Sequence, residues 1–169
     1  RLLTGLKNGG GAEVARAIIT SDTRPKEVAI AFELGSHTVR IGGCVKGAGM
    51  ISPSMATMLC FITTDANIPS AALRKGVLEC VEESFNRITI DGDMSTNDTV
   101  LVMANGASGM PPIRRNGKRC KQFRAALRWL MLELAKAVVR DGERVTKFVT
   151  VRVEGARTYL DAKKVAEAV

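Results

Sequence analysis

The chain is poor in the residues that most often advertise chemistry: one histidine, one tryptophan and one tyrosine in 169 residues, with aromatics at 4%. A Ser/His/Asp or Cys/His apparatus would have to be built around His37 alone, in what reads as a hairpin turn. No GxSxG elbow or family-specific cysteine signature accompanies it. The four cysteines, Cys44, Cys60, Cys80 and Cys120, form neither CxxC nor Cys/His ligand spacing, so a zinc site is excluded and buried, reduced thiols are expected. No apolar run reaches the roughly 20 residues that a membrane-spanning helix needs. The first residue is Arg1 rather than methionine, and no charged segment leads into an apolar one. The chain therefore reads as an internal portion of a longer, cytoplasmic protein.

What is present is a globular composition, 46% hydrophobic and 25% charged, enough for one domain whose core is built from Val, Ile, Leu, Ala and Met. The formal net charge is +8, much of it from Arg114, Arg115, Lys118, Arg119, Lys121, Arg124 and Arg128, with no acid between Asp98 and Glu133. Such a run invites reading the chain as a basic nucleic-acid-binding module. No RNA- or DNA-binding motif accompanies it, and a solvated loop followed by a first helical turn is the favoured reading.

Glu27–Glu33 and Thr38–Val45 are rich in Val, Ile and Phe and flank Leu34-Gly35-Ser36-His37, the pattern of a hairpin. A Gly/Pro/Ser-rich loop follows, and Thr57–Thr64 returns to an apolar run of strand length. Pro69-Ser70 opens a helix with Leu73, Val77, Val81 and Phe85 on one face. Ile88-Thr89-Ile90 and Thr99–Ala104 read as strands on either side of DGDMSTND. Phe123, Leu127, Leu130, Met131, Leu134 and Val138 define a longer helix, and Val149, Val151 and Val153 alternate as a last strand. Asp161 is placed to cap a short helix running through Val165. The mixture predicts an α/β (α+β) sandwich, one structural domain with sheets in the middle and helices outside.

Nucleophiles that work without histidine include a threonine whose own α-amino group is the base, since that amine has a reference pKa of about 7.7 to 8.0. Such a threonine must be made N-terminal by cleavage of a loop just before a strand. Ala56-Thr57 occupies such a junction, although threonine is also an ordinary strand residue. The three carboxylates of DGDMSTND, Asp91, Asp93 and Asp98, lack the spacing of an EF-hand. They read as a polar turn near the site, with Asn97 and Asp98 stabilising local backbone.

The segment KGAGMISPSMATML, Lys46 to Leu59, resembles the autocleavage segment of the ornithine acetyltransferase (glutamate N-acetyltransferase) family. ARAIITSDTRPK (Ala15–Lys26), FNRITIDGDMSTNDTVLVMANG (Phe85–Gly106) and VRDGERVTK (Val139–Lys147) are similar to further family segments in the same order and spacing. The resemblance implies an α/β sandwich related in arrangement to the N-terminal-nucleophile hydrolases. It also implies self-cleavage between Ala56 and Thr57, so that residues 1–56 close one segment and 57–169 open the other, with Thr57 as nucleophile. The implied reaction is acetyl transfer from N-acetylornithine to glutamate in arginine biosynthesis, with acetyl-CoA a second donor in some members and no metal or cofactor.

Thr20, Lys46, Thr57 and Glu143 are then the substrate-binding residues, and two copies of each segment form the assembly. Lys46 suits a substrate carboxylate and Glu143 an ammonium group. The family's oxyanion-hole Thr-Gly pair lies farther upstream of TSDT than this chain reaches, and Thr4-Gly5 sits too close to Thr20 to replace it. The isolated chain is accordingly expected to be nearly inactive. Arg144 stands where the family more often has a small residue, which leaves open pairing with Glu143 or obstruction of the pocket. The rival in the same chemical class is an N-terminal-nucleophile amidase or aminopeptidase, with water as acceptor.

Overall fold

A computed structural model describes residues 9–52, 58–93 and 97–169. The expected hairpin joins β1 (Lys26–Glu33) to β2 (Thr38–Lys46) in antiparallel register, with Lys26 opposite Val45 and Glu33 opposite Thr38. Leu34 N–H closes the turn by donating to the His37 carbonyl at 2.9 Å, and Gly35 supplies its positive φ of 76°. β3 (Leu59–Thr64) runs antiparallel to β2, with Lys46 opposite Leu59. α2 (Ser70–Glu82) then carries the chain across to β4 (Thr99–Ala104), which lies parallel to β3. A parallel neighbour requires such a crossover, and α2 supplies it. The sheet order is β1-β2-β3-β4.

Residues directly opposite one another across a ladder share a face. The register therefore puts Ile30, Ile41, Val45, Cys60, Ile62 and Val102 together on one side. Against this face lies α3 (Lys118–Arg140), whose Phe123, Leu127, Leu130, Met131, Leu134 and Val138 are all fully buried. Each such side chain contributes about 1.5 to 3 kcal/mol by leaving water. α2 packs on α3 through Ala72, Gly76 and Cys80, one position round from the face that Leu73, Val77 and Val81 predict; those three are only partly buried. Gly76 is small because the Arg124 side chain passes there: a Cβ would meet its Cγ at 3.2 Å.

The opposite face of the sheet carries Phe61, Leu101 and Met103, the last two 42% and 50% exposed. α1 (Gly11–Ala17) covers part of it beside β1 and β2, burying Ala15. The α/β architecture is thus present as one mixed sheet with helices. Among the described residues no helix is long and apolar enough to cross a membrane.

Four local expectations change. Ile88-Thr89-Ile90 is not a strand: a single turn of 3-10 helix at Phe85–Arg87 precedes it, Ile88 N–H donates to the Phe85 carbonyl, and Ile90 N–H donates to the Ile51 carbonyl rather than in a ladder. Phe85 falls in that turn instead of on α2, yet remains buried. Val149, Val151 and Val153 form no strand, because no described strand lies alongside to pair with them, and Val149 is 72% exposed. The last helix, α4 (Tyr159–Glu167), is capped by the Thr158 side chain, which accepts from Asp161 N–H; Asp161 sits in the first turn, where its charge favours the helix dipole.

Candidate active site

Lys46 ends β2 on the sheet face turned away from α3, and its side chain is buried. Its Nζ donates to Thr20 Oγ1 at 2.9 Å, which gives the buried ammonium a polar partner. Thr20 itself is exposed and stands in the turn between α1 and β1. The next residue, Gly47, turns with a φ of 153° and donates its N–H to Asp22 Oδ1 at 2.8 Å. Asp22 Oδ2 accepts Thr20 N–H at 3.2 Å. One carboxylate therefore fixes the backbone beside both Thr20 and Lys46.

Asp22 belongs to a buried cluster with Lys26 and Asp141. Lys26 Nζ lies 2.5 Å from Asp22 Oδ1 and 2.5 Å from Asp141 Oδ2, and all three side chains are at most 3% exposed. Asp141 caps the end of α3 and accepts from Thr23 N–H at 3.1 Å and from the Thr23 hydroxyl. Burial opposes ionisation of Asp22, but hydrogen bonds from Gly47 N–H, Lys26 and Thr20 N–H outweigh it and hold the carboxyl below its ordinary value. Burial likewise opposes ionisation of Asp141, and bonds from Lys26 and Thr23 again prevail.

Glu143 arrives from the end of α3. Gly142 permits the turn, since a Cβ there would meet Val145 at 2.7 Å and Ile90 at 3.0 Å. Glu143 N–H donates to the Ala48 carbonyl at 2.7 Å, and its carboxylate lies against Gly49, where an added Cβ would sit 3.1 Å from it. Arg144 follows, exposed, in left-handed backbone with φ 59°, a conformation that costs a non-glycine residue about 1 to 2 kcal/mol. Thr20, Lys46 and Glu143 thus gather round one Gly-rich loop.

Ala56 and Thr57 lie outside the described residues, but the chain on both sides of them is anchored. Asp91 accepts Met50 N–H at 2.6 Å and Ile51 N–H at 3.1 Å, and the Ile51 carbonyl accepts from Ile90 N–H and the Thr89 hydroxyl. Met58 N–H donates to Asp98 Oδ1 at 2.9 Å, and its carbonyl accepts from Thr99 N–H. Asp91 and Asp98, at the two ends of DGDMSTND, therefore hold the chain on either side of the Ala56–Thr57 junction. Asp91 combines a local bond, accepting Asp93 N–H at 3.2 Å, with bonds that reach about 40 positions back to Met50 and Ile51, and Asp98 reaches as far to Met58. Met50 is held with φ 52°, a second non-glycine residue in left-handed backbone.

His37 precedes β2 at the end far from Lys46, about 30 Å away at roughly 3.3 Å per residue. Its described contact is with Ser36 Oγ. All four cysteines are free and buried, and burial pushes the Cys80 thiol up to about 12. No group of carboxylates, cysteines or histidine among the described residues could hold a metal ion. Within the basic stretch, Arg124 pairs with Glu79 and Arg128 with Glu83 across the α2–α3 seam.

Sequence reasoning reached Thr20, Lys46 and Glu143 but missed Asp22, Lys26 and Asp141, which hold them. A signal existed in Asp141. An acid at a helix C-terminus opposes the helix dipole and calls for a specific cationic partner.

The model of the ArgJ family matches residues 1–169. The chain is 52% identical over 160 residues to "Arginine biosynthesis bifunctional protein ArgJ" of Symbiobacterium thermophilum, an overlap covering 95% of this chain and 40% of that protein. It is 49% identical over 168 residues to "Glutamate N-acetyltransferase" of Methanocaldococcus jannaschii, covering 97% of this chain and 40% of that one. A 2.00 Å crystal structure of the arginine biosynthesis bifunctional protein argJ from Bacillus halodurans aligns with a TM-score of 0.50 at 44% identity, over 52% of this chain and 41% of that chain. The chain spans about two-fifths of the length of the curated relatives it matches.

Proposed function

From the premise that this chain belongs to the ArgJ family, we propose that it carries the nucleophile and part of the substrate site of a cytoplasmic glutamate N-acetyltransferase of arginine biosynthesis. The observation that supports this best is the gathering of Thr20, Lys46 and Glu143 around Lys46–Gly49, with Met58 pinned on the far side of Thr57. A lysine and a glutamate at one loop match the carboxylate and ammonium of an α-amino acid.

Cleavage of the Ala56–Thr57 bond frees the α-amino group of Thr57. Thr57 Oγ attacks the acetyl carbonyl of N-acetylornithine while that amine takes the hydroxyl proton. The tetrahedral intermediate collapses, the C–N bond to ornithine breaks, and the proton passes to the leaving amine. The amine of glutamate then attacks the acetyl-threonine ester, forming N-acetylglutamate and restoring Thr57. Acetyl-CoA is a second donor for the same ester, and neither a metal nor a cofactor takes part. The assembly is two copies of each segment.

The test is to trap the intermediate. Acid quenching of the full-length enzyme with N-acetylornithine, without glutamate, should leave one acetyl group on the peptide that begins at Thr57. Addition of glutamate should discharge it with equivalent formation of N-acetylglutamate. Discharge to acetate alone would make the protein an amidase, and an enzyme that turns over with no acetyl on Thr57 would refute the nucleophilic route.

Lys46→Ala and Glu143→Ala should weaken substrate use while self-cleavage still goes to completion. Removing one partner of a charge-assisted hydrogen bond costs about 1.5 to 3 kcal/mol, on the order of ten- to a hundredfold in kcat/KM. Wild-type kcat/KM in both variants would remove these residues from the binding site.

A further inference from the structure

We propose that Lys26 is a positioning residue: bridging Asp22 and Asp141, it sets the spacing between the three substrate-facing groups Thr20, Lys46 and Glu143. The inference rests on the functional reading above and adds the element that holds its parts together. Lys26 cannot touch the substrate itself. It is opposite Val45 in the register, on the α3 side of the sheet, whereas Lys46 is on the other side, and its side chain is 1% exposed.

Its influence runs through two carboxylates. Asp22 binds the backbone N–H of Thr20 and that of Gly47, the neighbour of Lys46. Asp141 binds the N–H and hydroxyl of Thr23 and stands two residues before Glu143 at the end of α3. An ammonium has three donors in fixed tetrahedral directions, and two of them here end on carboxylates from segments more than a hundred positions apart. The bonds from Thr23 to Asp141 join the same turn to the end of α3 directly, and Lys26 ties both to Asp22.

The arrangement is a poor way to gain stability alone. Replacing a buried ion cluster by well-packed apolar groups is often neutral or favourable, and directional specificity is the attested use of such clusters. In this chain the directions converge on the three groups of the proposed site.

Calorimetry with ornithine, which shares the carboxylate and side-chain ammonium of N-acetylornithine but has no acetyl group to transfer, on the full-length, self-cleaved protein separates positioning from mere structural support, because it reads the affinity and the binding-competent fraction independently. Asp22→Asn replaces a buried acceptor oxygen by a donor and is expected to weaken Kd on the order of tenfold with stoichiometry unchanged. Thr23→Val leaves the three charges intact and releases only Asp141 from the Thr23 hydroxyl, with an expected loss of about threefold. If Asp22→Asn fails to fold, Thr23→Val decides.

A lower stoichiometry at wild-type Kd would mean that the network only supports the fold, and would overturn the proposal, as would unchanged binding in both variants. Wild-type protein that binds no ornithine would instead bring down the functional reading on which the proposal stands.

Discussion

Thr57→Ala in the full-length protein is expected to give a single uncut chain on a denaturing gel and to lose acetyl transfer altogether. No other residue in the proposed scheme combines a hydroxyl with an amine that cleavage itself creates. Removing the nucleophile of a comparable acyl-transfer site costs on the order of 10⁶-fold in kcat. Edman sequencing of the wild-type carboxy-terminal piece should read Thr-Met-Leu-Cys. Cleavage that persists in the variant, or a different first residue, would move the nucleophile elsewhere in the chain.

The second large effect belongs to stability. Lys26→Met leaves Asp22 and Asp141 buried without their cation, and breaking a buried ion pair in this way costs about 3 to 5 kcal/mol. At about 2 to 4 °C per kcal/mol for a chain of this size, Tm should fall by roughly 6 to 20 °C at neutral pH.

The pH dependence identifies the cause. In the native protein both carboxyls are held below their ordinary value of 3.8, so their contribution is complete above that pH and is lost as pH falls through the lowered values. In Lys26→Met the opposing desolvation is no longer outweighed by the cation, and protonation relieves the burial of charge. The gap in Tm between the two proteins should therefore be widest near pH 7 and narrow towards pH 4. Thermal melts of both proteins across that range test it; a gap that stays constant would mean that lost packing, and not lost charge pairing, is responsible.

Much of this structure is written in local pattern. The period-two alternation of β1 and β2 around a Gly turn, and the 3.6-residue period of α3, are sufficient to place those elements because a one-sided apolar face has few ways to be buried. The same rule misleads at Val149–Val153, where alternation is present and no described strand lies alongside to pair with it. Ile88–Ile90 fails for a related reason: its polar groups are used at Ile51, a tertiary choice that no short window contains. The candidate site residues Thr20, Lys46 and Glu143 come from family resemblance, and the fold brings them together. The Asp22–Lys26–Asp141 network was not, because its members are 4 and 115 positions apart and each looks alone like an ordinary surface charge.

The position of the proposed cut relative to the β2–β3 ladder changes the kinetics of refolding. Six residue pairs, from Ile41 opposite Thr64 to Lys46 opposite Leu59, join the chain before Ala56–Thr57 to the chain after it. While that bond is intact, re-forming the ladder after denaturation closes a short loop, a unimolecular event at a millimolar-scale effective concentration. Once it is cut, the same ladder becomes the seam between two polypeptides, and recovery becomes second order in protein. Cleavage would then leave the native contacts in place and alter the return path: below a threshold concentration, a denatured molecule loses its partner strand to dilution and does not come back.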